Sequence, residues 1–91
     1  MNQQNIIEKV KKYLEKRFNS IDESLISYSG IRQNAPTTNP NERKDLHLTH
    51  YSLENIEGNP YITNIYTVAI DVKTEKLEYI LGQNIMEKIE E

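Results

Sequence analysis

The sequence predicts an α+β fold in which an N-terminal helix packs on a three- or four-stranded antiparallel sheet, with a short C-terminal helix. Two observations carry this. Ile6, Ile7, Val10, Tyr13, Leu14 and Phe18 fall at the three- and four-residue spacing that gathers side chains on one face of a helix. From residue 45 onward the apolar residues alternate instead, and the stretch "YTVAIDVKTEKLEYI", residues 66–80, reads as two strands joined by a turn.

Helix 1 is expected over residues 5–18. Asn5 followed by Glu8 has the form of a capping pair, and Asn19-Ser20 supplies a stop. Its polar face alternates Glu8 and Glu15 with Lys9, Lys12 and Lys16, and Glu8 stands four residues before Lys12. Residues 20–30 admit two readings. Ser20 and Glu23 fit a second capped helix, whereas Ile26-Ser27-Tyr28-Ser29 alternates, which favours a strand over residues 25–33.

Residues 34–44, "NAPTTNPNERK", hold two prolines, three asparagines and no large apolar residue, so they read as an exposed loop. A strand follows over residues 45–54, with Leu46, Leu48 and His50 on one face and His47, Thr49, Tyr51 and Leu53 on the other. Glu57-Gly58-Asn59-Pro60 is a turn cluster. Residues 61–72 return as a strand with Tyr66, Val68, Ile70 and Val72 on one side, facing Val10, Leu14 and Phe18 of the helix. Its hairpin partner, residues 76–81, places Leu77, Tyr79 and Leu81 together, and Gly82 ends it. Ile85, Met86 and Ile89 are at helical spacing, which predicts the short C-terminal helix.

A chain of 91 residues is expected to form a single domain, residues 1–91, with a thin core. The composition is that of an ordered protein, 36% hydrophobic and 27% charged. Cysteine is absent, which excludes disulfides and thiol chemistry and suggests a small soluble cytoplasmic protein. The polar start, Met1-Asn2-Gln3-Gln4-Asn5, lacks the apolar region of a signal peptide, and no run reaches membrane-spanning length, so no membrane role is expected. The net charge of −3 argues against nucleic acid as the main partner, although residues 1–17 carry five basic and two acidic side chains.

The final hairpin, Tyr66-Thr67-Val68-Ala69-Ile70-Asp71-Val72-Lys73-Thr74-Glu75-Lys76-Leu77, resembles that of small cystatin-like and PepSY-like α+β domains, among them some bacterial immunity-type proteins that neutralise toxins. The pattern in such domains is aromatic-x-Val-x-Val-Asp-x-x-Thr-Gly-Glu followed by an apolar residue. Here the glycine expected after Thr74 is Glu75. The resemblance covers about a dozen residues and implies the fold class. Asp71 and Thr74 can also close such a turn through side-chain bonds to the backbone.

Chemistry-bearing residues do not assemble into a catalytic motif. His47 and His50 are three apart, but on a strand they point to opposite faces, so no metal site is expected. There is no Gly-x-Ser-x-Gly elbow, and Gly30, Gly58 and Gly82 are too dispersed for a phosphate loop. Asp22, Glu23, Asp45, Asp71 and Glu75 lie at element ends, where capping explains them. No cofactor is implied, and the chain is not expected to be an enzyme.

What remains is recognition. Six tyrosines and one phenylalanine make up the aromatics. Tyrosine joins a large contact area to a polar tip, which suits protein interfaces, and ordinary strand preference explains the same residues equally well. The expected function is a non-catalytic protein-binding module of inhibitor or immunity type, docking on another protein through Asn39, Glu42 and Arg43 of the loop and Tyr51, Tyr61 and Tyr79 of an open sheet face. A nucleic-acid-associated regulator using the basic helix, and a small-ligand-binding α+β roll, are the alternatives. An uncovered sheet is as compatible with a homodimer as with a monomer.

Overall fold

The computed structural model describes residues 2–18, 21–54, 63–82 and 85–90. One helix, α1 (Gln3–Phe18), is followed by a short 3₁₀ turn (Glu23–Leu25) and five strands: β1 (Ile26–Pro36), β2 (Arg43–Glu54), β3 (Thr63–Asp71), β4 (Leu77–Leu81) and β5 (Met86–Lys88). Each strand pairs antiparallel with the next, giving a sheet in the order β1-β2-β3-β4-β5. Among the described residues, no helix is long and apolar enough to cross a membrane.

The helix starts earlier than residue 5. Asn2 Oδ1 accepts the Asn5 amide at 2.8 Å, and the Asn2 carbonyl accepts the Ile6 amide, so Asn2 fills the capping role expected of Asn5. Ile6, Val10 and Leu14 are buried, and they meet Val68, Ile70, Leu77, Ile80 and Ile89 in one core. Phe18 closes this core at the far end, its ring 5.1 Å from that of Tyr66 and 6.2 Å from that of Tyr51. Each of these aliphatic side chains contributes about 1.5–3 kcal/mol by leaving water.

Residues 26–30 follow the strand reading, and of the expected second helix only one 3₁₀ turn forms, capped by Asp22, while Ser20 lies outside the described residues. Asp22 caps the 3₁₀ turn by accepting the Ser24 amide and hydroxyl, which hold its carboxyl below the ordinary range, and the chain then extends directly into β1. β1 is irregular at two places, between Tyr28 and Gly30 and between Arg32 and Ala35. Gly30 takes φ 96° at the first, a conformation open to glycine at little cost, and Asn34 takes φ 52° within the second.

Three expectations are corrected. The C-terminal helix does not form: residues 86–88 are β5, with Tyr79 opposite Lys88 and Leu81 opposite Met86. A helix this short is unstable by itself and would end in acids beside its negative pole, whereas a strand satisfies the polar edge of β4. The sheet accordingly has five strands rather than three or four. The loop expected over residues 34–44 is shorter, because Asn34, Ala35 and Pro36 continue β1 while Arg43 and Lys44 begin β2. The turn cluster Glu57-Gly58-Asn59-Pro60 lies outside the described residues.

A further departure lies in β4. Ala69 pairs with Tyr79 but Ile70 pairs with Leu77, so Glu78 is an extra residue on that strand. This bulge breaks the alternation: Leu77 and Ile80 face the helix, while Tyr79 turns to the other side with Ala35, Leu46 and Ala69.

Candidate functional site

The face of the sheet away from α1 has two parts. At one end, β1, displaced by its second irregularity, brings Ala35 into a small buried cluster with Leu46, Ala69 and Tyr79, and Leu48 packs against it. At the other end the register aligns Thr67, Leu81 and Met86 across β3, β4 and β5, and Ile65 shares the face of Thr67 two residues away. Ile65, Leu81 and Met86 are 51%, 39% and 47% exposed. Three large apolar side chains thus stand in water on one face of β3, β4 and β5.

The tip of the β1–β2 hairpin is shaped by its own side chains. Thr37 Oγ1 accepts the Asn39 amide at 3.1 Å and donates to the Asn39 carbonyl, while Asn39 Oδ1 accepts the Asn41 amide. These are the side-chain turns that the Asn- and Thr-rich composition favours. Asn39 and Arg43 are exposed and Glu42 is half-buried. Arg43 Nη1 donates to the Asn34 carbonyl at 3.1 Å, so its charge is held at the root of the tip. A cavity of about 460 Å³ opens there, lined by Glu42, Arg43, Asp71 and Lys73 among others.

Lys44 organises the charges of that region. Its Nζ lies 3.2 Å from Glu78, 3.3 Å from Asp71 and 3.5 Å from Glu42. Burial works against the ammonium, but the carboxylates outweigh it and raise the Lys44 pKa above the ordinary lysine value. Asp71 responds in kind. Its own burial would raise its pKa, yet the Lys73 amide at 2.8 Å, Lys44 and the Thr74 amide together hold it below the ordinary range.

The predicted partner-binding residues separate into two groups. Asn39, Glu42 and Arg43 come together at the hairpin tip, as their sequence proximity requires. Tyr51 and Tyr79 do not reach the open surface. Tyr51 pairs with Tyr66 on the helix side and is 2% exposed, and Tyr79 is 7% exposed within its small cluster. Burial pushes the Tyr79 phenol up, with Arg32 acting against it. Tyr61 lies outside the described residues.

The two histidines occupy opposite faces. His47 pairs with Ile70 on the helix side, where its Nδ1 shares a 2.8 Å hydrogen bond with the Tyr28 hydroxyl. His50 pairs with Thr67 on the other face, and its Nδ1 lies 3.0 Å from the Thr67 hydroxyl. Burial pushes the His47 pKa down. Among the described residues no group of three or more histidine, aspartate and glutamate side chains is placed to hold a metal ion.

Sequence reasoning missed Ile65, Leu81 and Met86. Alternation gave the parity of Ile65, but the exposed face became visible only once β5 and the β4 bulge fixed which side of the sheet each residue takes. It also missed Lys44, whose carboxylate partners are as far as 34 residues away in the chain. No known family model, curated protein or solved structure matches this chain.

Proposed function

We propose that the chain is a small non-catalytic binding module that docks on another protein through the helix-free sheet face and the adjoining β1–β2 hairpin. The observation that carries this reading is the exposure of Ile65, Leu81 and Met86 on one face, Leu81 and Met86 aligned with Thr67 by strand register and Ile65 two residues from Thr67. Large apolar side chains grouped on a rigid surface favour association with a complementary protein. The hairpin tip adds Asn39, Glu42 and Arg43 as a polar rim.

Supporting the choice against a ligand-binding roll, Val10, Leu14, Val68, Ile70 and Ile80 are wholly buried between helix and sheet, so the centre of that layer is packed with side chains. Action as an inhibitor or immunity-type protein fits this reading and the resemblance of the last hairpin, since a module without chemistry acts on a partner by covering its surface. A cytoplasmic setting accords with the absence of cysteine.

The test compares the wild type with an Ile65→Glu/Leu81→Lys variant as immobilised baits in lysate of the native source. A stoichiometric protein retained by the wild type and lost from the folded variant supports the reading. Equal retention by both removes the sheet face from it, and alanine at Asn39, Glu42 and Arg43 then asks whether the tip alone suffices. A concentration-dependent dimer of the wild type that the variant abolishes would instead make a second copy the occupant.

A further inference from the structure

A second surface, remote from the open sheet face, lies between α1 and the C-terminal side of the sheet. It is a groove of about 970 Å³ with Lys9, Lys12, Lys16 and Arg17 along the helix wall. Leu77 and Ile89 form the opposite side, and the half-buried Tyr13 ring lies against the same core. Glu8 and Glu90 are the acidic side chains that line it. The groove is therefore positive on a chain whose net charge is −3.

Its cations are not equally engaged. Arg17 Nη1 lies 2.9 Å from Glu87, and Lys9 Nζ donates to the Glu75 carbonyl at 2.7 Å. Lys12 and Lys16 are exposed, and among the described residues neither has a hydrogen bond or an ion pair. The expected Glu8 to Lys12 pair is not made, because Glu8 instead accepts from Gln4 at 3.4 Å. Lys12 and Lys16 sit four residues apart on one helix face, an arrangement of like charges that weakens a helix. Neighbouring uncompensated cations above an apolar floor make a site for an anion that also carries hydrophobic surface.

We infer that this groove binds an acidic peptide segment of a partner protein, with carboxylates on Lys12 and Lys16 and an apolar side chain against Leu77, Ile89 and Tyr13. The dimensions agree. Lys9 to Lys16 spans about 10 Å of helix, which matches three residues of extended chain. Nucleic acid fits less well, since Glu8, Glu87 and Glu90 flank the cations and would repel a continuous row of phosphates. This inference is independent of the sheet-face reading, and either can fail alone.

The experiment is fluorescence anisotropy at low ionic strength with a fluorescein-labelled peptide of glutamates flanking a central leucine. Comparison probes replace the glutamates by glutamine, or substitute single-stranded oligothymidylate of equal charge. Saturable binding of the acidic peptide is expected, with no binding of the glutamine peptide and weaker binding of the oligonucleotide. The Lys12→Glu/Lys16→Glu variant should lose affinity about tenfold or more, since two exposed attractions become repulsions. Ile65→Glu/Leu81→Lys should leave this binding unchanged. Both lysines are exposed, so retention of the wild-type melting temperature establishes that the charge variant is folded, and Lys12→Gln/Lys16→Gln serves if it is not. Absence of saturation, equal affinity of the folded variant, or tighter binding of the oligonucleotide overturns the inference.

Discussion

Lys44 Nζ lies 3.3 Å from Asp71 Oδ2, tying the root of the β1–β2 hairpin to the residue where β3 enters its turn. The same ammonium reaches Glu78, the bulge residue of β4, so one side chain joins three neighbouring strands. Asp71 and Glu78 have side chains only 6% and 9% exposed. Their charges are tolerable because Lys44 stands between them.

Removing that cation should be costly. Lys44→Met keeps most of the side-chain volume but leaves two buried carboxylates without their shared counter-charge, and we expect a loss of about 2–4 kcal/mol in urea denaturation. Adding Glu78→Gln should recover part of it by relieving the repulsion. A Lys44→Met protein as stable as the wild type would show that the cluster is only a surface arrangement.

His47 should give stability a pH dependence near neutrality. Burial depresses its folded pKa below the unfolded value of about 6.5, so the unfolded chain binds the proton more readily. The His47 contribution is complete above that value and is lost as pH falls below about 6.5 toward the folded pKa. The melting temperature should decline on acidification from pH 7 to 5 in the wild type, and the decline should flatten in His47→Phe. Asp71, also depressed, contributes above the ordinary carboxylate value and loses that contribution only at pH below about 3.9, outside this window. Identical profiles for the two proteins would refute the assignment.

The turn between β3 and β4 offers a stabilising change. Asp71 Oδ1 accepts the Lys73 and Thr74 amides, Thr74 Oγ1 accepts the Lys76 amide, and Glu75 takes φ 62°. A left-handed conformation costs a side-chain-bearing residue about 1–2 kcal/mol. Glu75→Gly should therefore raise stability by about 1 kcal/mol, read as a higher urea midpoint at unchanged slope. A lower midpoint would mean that the Glu75 side chain contributes more than its backbone costs.

How much of this was legible follows from the range over which each feature is determined. The α1 stripe from Ile6 to Phe18 and the alternation in β2 and β3 are local patterns, and both were readable. The Asp71 and Thr74 turn was readable for the same reason. Tyr51 was grouped correctly with Thr49 and His47, but it was assigned to the open face, whereas that side of β2 is the one the helix covers, with Tyr51 opposite Tyr66, which no local pattern encodes. Tyr79 does lie on the helix-free side, but Ala35, Leu46 and Ala69 bury it there, and the bulge at Glu78 sends its expected face-mate Leu77 to the helix instead. β5 exists only because β4 offers an edge, so Met86 and Ile89 at helical spacing gave a helix that tertiary pairing overrides.

The packing of α1 has a consequence for the order in which the chain matures on the ribosome. The helix is synthesised before the residues it packs on: Val68, Ile70, Leu77, Ile80 and Ile89 of its core, and Glu87, which anchors Arg17, follow it by fifty residues or more. A 16-residue helix standing alone in water is marginal. The nascent polypeptide must therefore carry the Ile6, Val10 and Leu14 stripe without those partners until they emerge from the ribosome. Complete docking of α1 must wait for those residues, and until then its apolar stripe is open to chaperones and proteases.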